Sequence, residues 1–108
     1  MIRVFYFSTA RANVSDADVD RIVHRASAKN ADLGITGALA YNGRNFCQLL
    51  EGDEEKVMAL LEEIEADPRH SGFKVLDKKE VASRAFPDWS IQRVSALDFS
   101  VVINAMQS

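Results

Sequence analysis

The chain has 108 residues, with 16 Asp and Glu against 13 Lys and Arg, for a formal net charge of −3. The length fits one domain, and a hydrophobic content of 47% excludes a disordered chain. The mildly acidic balance, without a basic block, predicts no nucleic-acid partner. No apolar run is long enough to span a bilayer, and the single cysteine, Cys47, excludes a disulfide framework. The N-terminus lacks the features of a signal peptide, which predicts a cytoplasmic protein without membrane contact.

The first predicted elements are a strand over residues 2–8 and a helix over residues 16–29. Apolar side chains occur on both alternating faces of the strand, which is typical of a central strand packed on each side. Apolar residues recur at helical spacing in the helix, and Ser15 is its predicted N-cap. Asp18 lies in the first turn, where a carboxylate suits the positive end of the helix dipole. Gly34 can adopt the positive φ that reverses the chain after the helix.

A hairpin and a second helix follow. Strands are predicted over residues 35–41 and 45–50, because Asn42-Gly43 between them tolerates the left-handed conformations of a type I′ turn. The second helix begins after Asp53, its candidate cap, and Pro68 ends it by residue 66 or 67.

The last predicted elements are two strands and a short extension. The fourth strand covers residues 73–76, with residues 81–86 as an extension or re-entry, and the fifth covers residues 89–94. Residues 95–108 have a weak helical pattern that is also compatible with a strand. The order β-α-β-β-α-β-β predicts an α+β fold, a ferredoxin-like sheet with both helices on one face. Because this fold hosts many functions, the function depends on the site residues.

Three polar residues interrupt the apolar faces that should meet between the sheet and the helices. Asn30 extends the buried face of the first helix, although it could instead cap the helix end through nearby backbone. Gln48 alternates with apolar neighbours on the third strand, unless the register leaves it exposed at an edge. Tyr6 lies on the inward face of the first strand, where core packing is the commoner reason for a tyrosine. If the first strand and the hairpin are neighbours, these side chains form a polar cluster in an apolar shell, which is typical of a site for a planar hydrogen-bonding ligand.

A charged group closes the second helix in the sequence. Asp67, Arg69 and His70 either complement the helix dipole or hold the polar tail or edge of a ligand. Asp67 continues the apolar stripe of the helix, which favours a position facing the first helix. The spacing of His, Cys and carboxylate residues predicts no metal site, and no phosphate-binding glycine loop or nucleophile–base pair is evident.

Six short motifs occur in a fixed order along residues 1–94. They are Tyr6-Phe7-Ser8, Asn30, Gly34-Ile35-Thr36-Gly37, Gln48-Leu49-Leu50-Glu51-Gly52, Asp67-Pro68-Arg69-His70 and Arg84-Ala85-Phe86-Pro87-Asp88-Trp89. In combination these motifs resemble the BLUF family of flavin-binding blue-light sensors. Each motif alone would be a weak signal, but their order is hard to obtain by chance.

The resemblance implies that a flavin binds between the two helices. FAD is the first expectation, and FMN or riboflavin would present the same ring. Tyr6 matches the tyrosine that acts as the light-driven electron donor in this family. Gln48 matches the glutamine that links this tyrosine to the flavin and rearranges its amide after excitation, which shifts the absorption to the red. Asn30 matches a residue that forms a hydrogen bond with the edge of the ring.

The remaining cofactor-binding positions that the resemblance implies surround the ring and its tail. Two isoleucines flank the ring, and the others lie near the ring or the phosphate-bearing tail. These positions are Ile22, Lys29, Ile64, Asp67, Arg69 and His70.

Signal transmission is implied for the last strand. Trp89 matches a photoactive-site tryptophan that can exchange places with a neighbour. Two positions later the family often has methionine, whereas this chain has Ile91. Isoleucine lacks a sulfur acceptor and is stiffer at χ1, so transmission, and not flavin binding, is the step that this change affects.

The resemblance implies a sensor and not an enzyme. Residues 1–94 would form the sensor domain, and residues 95–108 are too short for an output domain, so the expected partner is a downstream effector protein acting in trans. The apolar second face of the sheet predicts a homo-oligomer. Ile91 and that apolar face favour one alternative, a light-insensitive flavin-binding or protein-interaction module on the same fold. Another is a small acyl-phosphate hydrolase, which needs a phosphate-binding loop with an arginine that the sequence does not show.

Overall fold

The structure, a computed structural model, describes residues 1–11, 14–41, 43–68, 70–86 and 92–94, and only the backbone of residues 70 and 92–94. Five strands and two helices occur in these residues: β1 (Ile2–Ala10), α1 (Asp16–Leu33), β2 (Thr36–Tyr41), β3 (Asn45–Gly52), α2 (Glu54–Glu65), β4 (His70–Glu80) and β5 (Gln92–Val94). The strands form one sheet in the order β4-β1-β3-β2-β5, in which β5 alone is parallel to its neighbour. The predicted α+β, ferredoxin-like arrangement is confirmed.

The two ends of α1 are fixed by the residues that flank it. Ser15 Oγ accepts the N–H of Asp18, and the Asp18 carboxylate accepts the N–H of Ser15 at 2.9 Å, which is a capping box. At the other end, Gly34 has φ 68 and its N–H closes the last turn. The helix therefore runs to Leu33, beyond the predicted end at residue 29, because the first effective stop signal is Gly34.

Ser15→Ala is expected to lower the free energy of unfolding by about 1 kcal/mol, because the N–H of Asp18 loses its acceptor. Urea unfolding tests the substitution, with Ser71→Ala on the exposed face of β4 as the control. Equal effects of the two substitutions would contradict the capping role.

The pKa of the Asp18 carboxyl falls from 3.8 to about 2, chiefly because the carboxylate accepts a hydrogen bond from the backbone N–H of Ser15. Since folding lowers this pKa, the contribution of charged Asp18 to stability is present above about pH 4 and is lost as the pH falls through about 2.

The two helices pack on one face of the sheet. The main core lies there, where Val4 and Leu50 of the strands meet Val19 of α1 and Val57 of α2. This arrangement confirms the prediction that both helices share a face. A smaller core lies on the second face, and its buried members are Phe5, Ala38, Ala40, Cys47, Leu49 and Phe86.

The register of β3 determines which of its side chains face the helices. Tyr6 of β1 lies directly opposite Gln48, and Arg3 of β1 lies directly opposite Glu51. Thr36 of β2 is the partner of Glu51 on the other side. Because successive side chains of a strand alternate between faces, Gln48 lies on the helix face and Glu51 on the second face. The hairpin and β1 are therefore neighbours, as the polar cluster required.

The fourth strand differs from its predicted bounds of 73–76. β4 runs from His70 to Glu80, because its backbone pairs with β1 along nearly the whole length of that strand. The polar residues 77–80 belong to it, since a strand at the edge of a sheet pairs on one side and can leave its side chains in water. Residues 81–86 form no strand and turn onto the second face, where Phe86 is buried.

Several sequence predictions lie outside the described residues. These are Asn42 of the hairpin turn, residues 89–91 of the fifth strand and the extension over residues 95–108. Gly43 of the same turn has φ 92, a conformation that glycine adopts readily. The division into a sensor domain over residues 1–94 and an extension stays a prediction. Among the helices of the described residues, none is long and apolar enough to cross a membrane.

Cys47 is part of the second core, as its alternation with Gln48 predicted. Its side chain is buried, and burial raises the pKa of the thiol to about 12. The thiol therefore stays protonated at neutral pH, and a packing role accounts for it.

Candidate functional site

A cavity opens between α1, α2 and the helix-facing side of the sheet. The free volume of the cavity, including the solvent-filled space at its opening, is about 670 Å³. The described residues that line it are Tyr6, Ile22, Val23, Ala26, Lys29, Asn30, Leu39, Phe46, Gln48, Leu60, Ile64 and Asp67. All seven predicted site residues whose side chains the structure describes are in this set. The predicted polar cluster therefore lies together beneath the two helices.

The walls of the cavity are mostly apolar. Ile22 of α1 and Ile64 of α2 contribute apolar side chains from the two helices. Sequence reasoning did not assign five further lining residues to the site: Val23, Ala26, Leu39, Phe46 and Leu60. Most of them belong to the apolar stripes visible in the sequence. A stripe shows which side chains face inward, but it does not separate those that border a cavity from those that fill the core.

A hydrogen bond between Tyr6 and Gln48 lies in this lining. The Tyr6 hydroxyl donates to Gln48 Oε1, and the two side chains are 4% and 5% exposed. The bond forms because the two residues are direct partners across β1 and β3. On the β4 side, the ring of Phe73 packs against the ring of Tyr6, with centroids 4.8 Å apart. The edge-exposure alternative for Gln48 is wrong, since this side chain is buried. Tyr6 belongs to the core, as the packing alternative proposed, and its hydroxyl is also bonded to Gln48.

The environment of Tyr6 keeps its hydroxyl protonated. Burial raises the pKa of this phenol well above its usual range, and Cys47 and Asp67 act in the same direction. The phenol is therefore a neutral donor across the physiological range. Because Gln48 uses its carbonyl oxygen toward Tyr6, its NH₂ group remains as the donor of that amide.

Asn30 presents its side chain to the cavity while its backbone helps to end the helix. The residue is buried, and its backbone oxygen accepts the N–H of Ile35 at 2.9 Å. Among the described residues, none donates a hydrogen bond to the buried Oδ1 atom. The side chain of Asn30 thus belongs to the cavity lining, and its backbone oxygen takes part in the end of the helix.

Lys29 lies beside Asn30 and also lines the cavity. Its ammonium group bonds to the carboxylate of Glu63 on α2, and the two side chains are 49% and 60% exposed. Asp67, which the stripe of α2 placed toward α1, is a further charged residue of the lining.

Part of the charged group after α2 differs from its predicted place. The helix ends at Glu65 with Ala66 as its C-cap, and the N–H of Asp67 closes its end by donating to the backbone oxygen of Ile64 at 3.1 Å, whereas His70 lies beyond the helix. His70 is the first residue of β4, and its backbone pairs with Ala10. Arg69, Trp89, Ile91 and the side chain of His70 lie outside what the structure describes.

A polar network on the second face was not recognised in the sequence. Glu51 is fully buried, and its carboxylate accepts hydrogen bonds from Arg3 at 3.1 Å and Thr36 at 3.1 Å. The same carboxylate also accepts hydrogen bonds from the backbone N–H groups of Ala85 at 2.9 Å and Phe86 at 2.7 Å. The sequence did contain a signal for this network, because Arg3 and Glu51 are charged residues at inward positions of two strands that pair. In the part of the chain that the structure describes, no group of His, Cys, Asp and Glu could hold a metal ion.

The residues of the cavity suit a flavin ring. Such a ring is planar, with apolar faces and one edge of carbonyl and N–H groups. Ile22 and Ile64 supply apolar surface from the two helices, and the amides of Asn30 and Gln48 supply donors and acceptors. The buried Oδ1 atom of Asn30 is suited to accept from an N–H of such an edge.

Comparison with known proteins agrees with this geometry. A sequence model of the BLUF family, described as sensors of blue-light using FAD, matches residues 1–92. The photoactivated adenylate cyclase subunit beta of Euglena longa is 34% identical over 87 residues, which is 80% of this chain and 10% of that protein. The blue light- and temperature-regulated antirepressor BluF of Escherichia coli strain K12 is 37% identical over 67 residues, 62% of this chain and 17% of that protein. The chain thus spans a small part of the curated relatives that it matches.

Solved structures share the fold along most of the chain. The dark-state structure of the BLUF protein BlrB has a TM-score of 0.85 and 36% identity, and the match covers 93% of this chain and 76% of that one. The photo-activated state of BlsA has a TM-score of 0.83 and 33% identity, with 87% of this chain and 69% of that one covered. The family model and these structures together show that the chain belongs to the BLUF family of flavin-binding blue-light sensors.

Proposed function

We propose that this BLUF domain senses blue light through Tyr6 and Gln48, with a flavin held in the cavity between α1 and α2. The observation that carries the proposal is the hydrogen bond from the Tyr6 hydroxyl to Gln48 Oε1 in the wall of an otherwise mostly apolar cavity. Bound flavin supplies the absorption of blue light and an excited state that takes up an electron. FAD is the proposed form, and FMN or riboflavin would meet the same wall residues.

Tyr6 is suited to release an electron together with a proton. Its phenol is neutral, and the proton has a defined path along the hydrogen bond to Gln48 Oε1. If Oε1 gains this proton while the NH₂ group of Gln48 gives one up to an acceptor on the bound flavin, the side chain would become its imidic-acid tautomer, which can rotate. When the electron and a proton return to Tyr6, the lasting change is in what Gln48 donates and accepts. An added donor toward a flavin carbonyl shifts the absorption to longer wavelength.

The remaining lining residues hold and orient the ring. Asn30 fixes its polar edge, and Ile22 and Ile64 pack against its faces. Asp67 and Lys29, together with Arg69 and His70, are proposed to lie near the ring and its tail. Trp89 and Ile91 are proposed to carry the change into the last strand.

One absorption experiment tests the proposal. The purified chain, loaded with FAD in the dark, should show a flavin band that moves reversibly to the red under blue light. A chain that takes up no flavin would contradict the proposed site. Flavin uptake with identical dark and illuminated spectra would favour the light-insensitive module, whose support is the replacement of the frequent methionine by Ile91.

We further propose that the signal passes to an effector protein in trans. One relative is named an antirepressor, a role that requires a second protein, and the match to the BLUF protein BlrB covers 76% of that chain. The formal net charge of −3 favours a protein effector over nucleic acid.

A homo-oligomer also stays a prediction, but its basis has changed. The apolar residues of the second face that the structure describes are mostly buried, and Phe86 and Ala85 pack against them. The exposed apolar residues Val75 and Leu76 of the edge strand β4 now support assembly better than that face does. Light scattering on the eluting protein measures its mass and tests the prediction.

A further inference from the structure

Lys29 lines the cavity and is about half exposed, so its side chain reaches from the cavity to solvent. Its ammonium group bonds to Glu63 of α2, which connects the two helices. Among the lining residues that the structure describes, Lys29 is the one with a positive charge. Its half-exposed side chain borders both the cavity and the shallow groove that contains Glu63.

Flavins differ in charge outside the ring. Riboflavin has a neutral tail, whereas FMN and FAD carry phosphate groups. Removing a phosphate from water without compensation is costly, so the phosphate belongs at the solvent opening and not against the apolar walls. Lys29 is the described cation of the lining at that opening, and an ammonium group forms strong charge-assisted hydrogen bonds with phosphate oxygens.

We propose that Lys29 selects flavins that carry a phosphate, and that Glu63 weakens this selection by competing for the same ammonium group. The inference rests on the proposed function only in that the cavity takes up a flavin. The competition is feasible because an exposed ion pair contributes little to stability and can exchange partners. In this view the ion pair regulates the preference for FMN and FAD over riboflavin.

Dissociation constants of riboflavin, FMN and FAD, measured in the dark by flavin fluorescence, test the proposal. Lys29→Met keeps the length of the side chain and removes its charge, so the preference for FMN over riboflavin should fall by about two- to five-fold. Glu63→Gln removes the competitor, so the preference should rise by a similar factor. Both changes should shrink at about 1 M salt, because salt screens exposed charges.

The chain offers a matched control pair. Lys78 and Glu54 form a similarly exposed ion pair at 2.8 Å, and neither residue lines the cavity. Lys78→Met and Glu54→Gln should leave the ratio of the riboflavin and FMN dissociation constants unchanged. All four variants should unfold at the same urea concentration as the wild type within error, since exposed pairs contribute little.

Three outcomes separate the possible failures. If Lys29→Met weakens riboflavin as much as FMN, Lys29 acts on the ring or the sugar chain and the proposal is wrong. If Glu63→Gln weakens FMN binding, the ion pair supports the site and does not compete, which also overturns the proposal. If the wild-type chain binds none of the three flavins, the proposed function itself fails.

Discussion

Tyr6→Phe is expected to abolish the light-induced red shift completely while leaving the flavin bound. Phenylalanine fills nearly the same volume, so the ring contact with Phe73 persists and the cavity keeps its shape. The lost hydroxyl is the group that donates to Gln48 Oε1, and phenylalanine has no proton to release along that path. Difference spectra between dark and illuminated samples measure the effect.

Tyr41→Phe is the matched control for this substitution. Tyr41 is also buried and also donates a hydrogen bond, to the backbone oxygen of Val14 at 3.4 Å, but it does not line the cavity. Its variant should bind flavin and keep the full shift. A normal photocycle in Tyr6→Phe would refute the role of Tyr6, whereas loss of the shift in both variants would point to a general effect of removing a buried hydroxyl.

Much of the site was predictable because it depends on regular features of strands and helices. Once β1 and the hairpin are neighbours, period-two alternation places Tyr6 and Gln48 on one face, and the register places them opposite each other. Helical spacing likewise brings Asn30 and Ile64 to the surfaces that face the sheet. Their roles required the family motifs, since a buried polar residue alone does not identify its ligand.

Other features depended on contacts that no local pattern shows. The stop signal of α1 is Gly34, and nothing in the four residues before it distinguishes the last turn from a loop. β4 exceeds its predicted bounds because backbone pairing with β1 does not require alternating apolar side chains. The resemblance placed Lys29 near a phosphate-bearing tail but did not predict its bond to Glu63, because the two residues are 34 positions apart in the sequence.

The hydrogen-bond network around Glu51 is the largest feature that the sequence did not predict, and it stabilises the fold. Its carboxylate connects β1 and β2, through Arg3 and Thr36, to the segment over residues 81–86. Arg84 strengthens the same connection by donating to Thr36 at 2.8 Å and to the backbone oxygen of Glu51 at 3.1 Å. These bonds, together with the burial of Phe86, hold that segment on the second face.

Glu51→Gln is therefore expected to destabilise the fold by about 3–5 kcal/mol, the usual cost of removing one partner from a buried ion pair. The amide has nearly the same shape, but each carboxylate oxygen of Glu51 accepts two hydrogen bonds. In glutamine one of these oxygens becomes an NH₂ group, which would point its hydrogens at the groups that now donate to it. Arg3 would also lose the charge that compensates its burial. Urea unfolding of the apoprotein measures the loss.

Glu62→Gln on the exposed face of α2 is the control, and it should change the free energy of unfolding by less than about 0.5 kcal/mol. Tryptic cleavage after Arg84 provides a second readout, because a weakened network should expose that peptide bond in the folded protein.

A double variant that combines Arg3→Met with Glu51→Leu separates the effect of charge from that of packing. It should be more stable than Glu51→Leu alone, since it leaves no uncompensated buried charge. If Glu51→Gln unfolds like Glu62→Gln and is cleaved no faster than the wild type, the network does not hold residues 81–86 in place. The segment that leads toward β5 would then depend on the burial of Phe86 and on the bonds of Arg84 to Thr36 and Gly34.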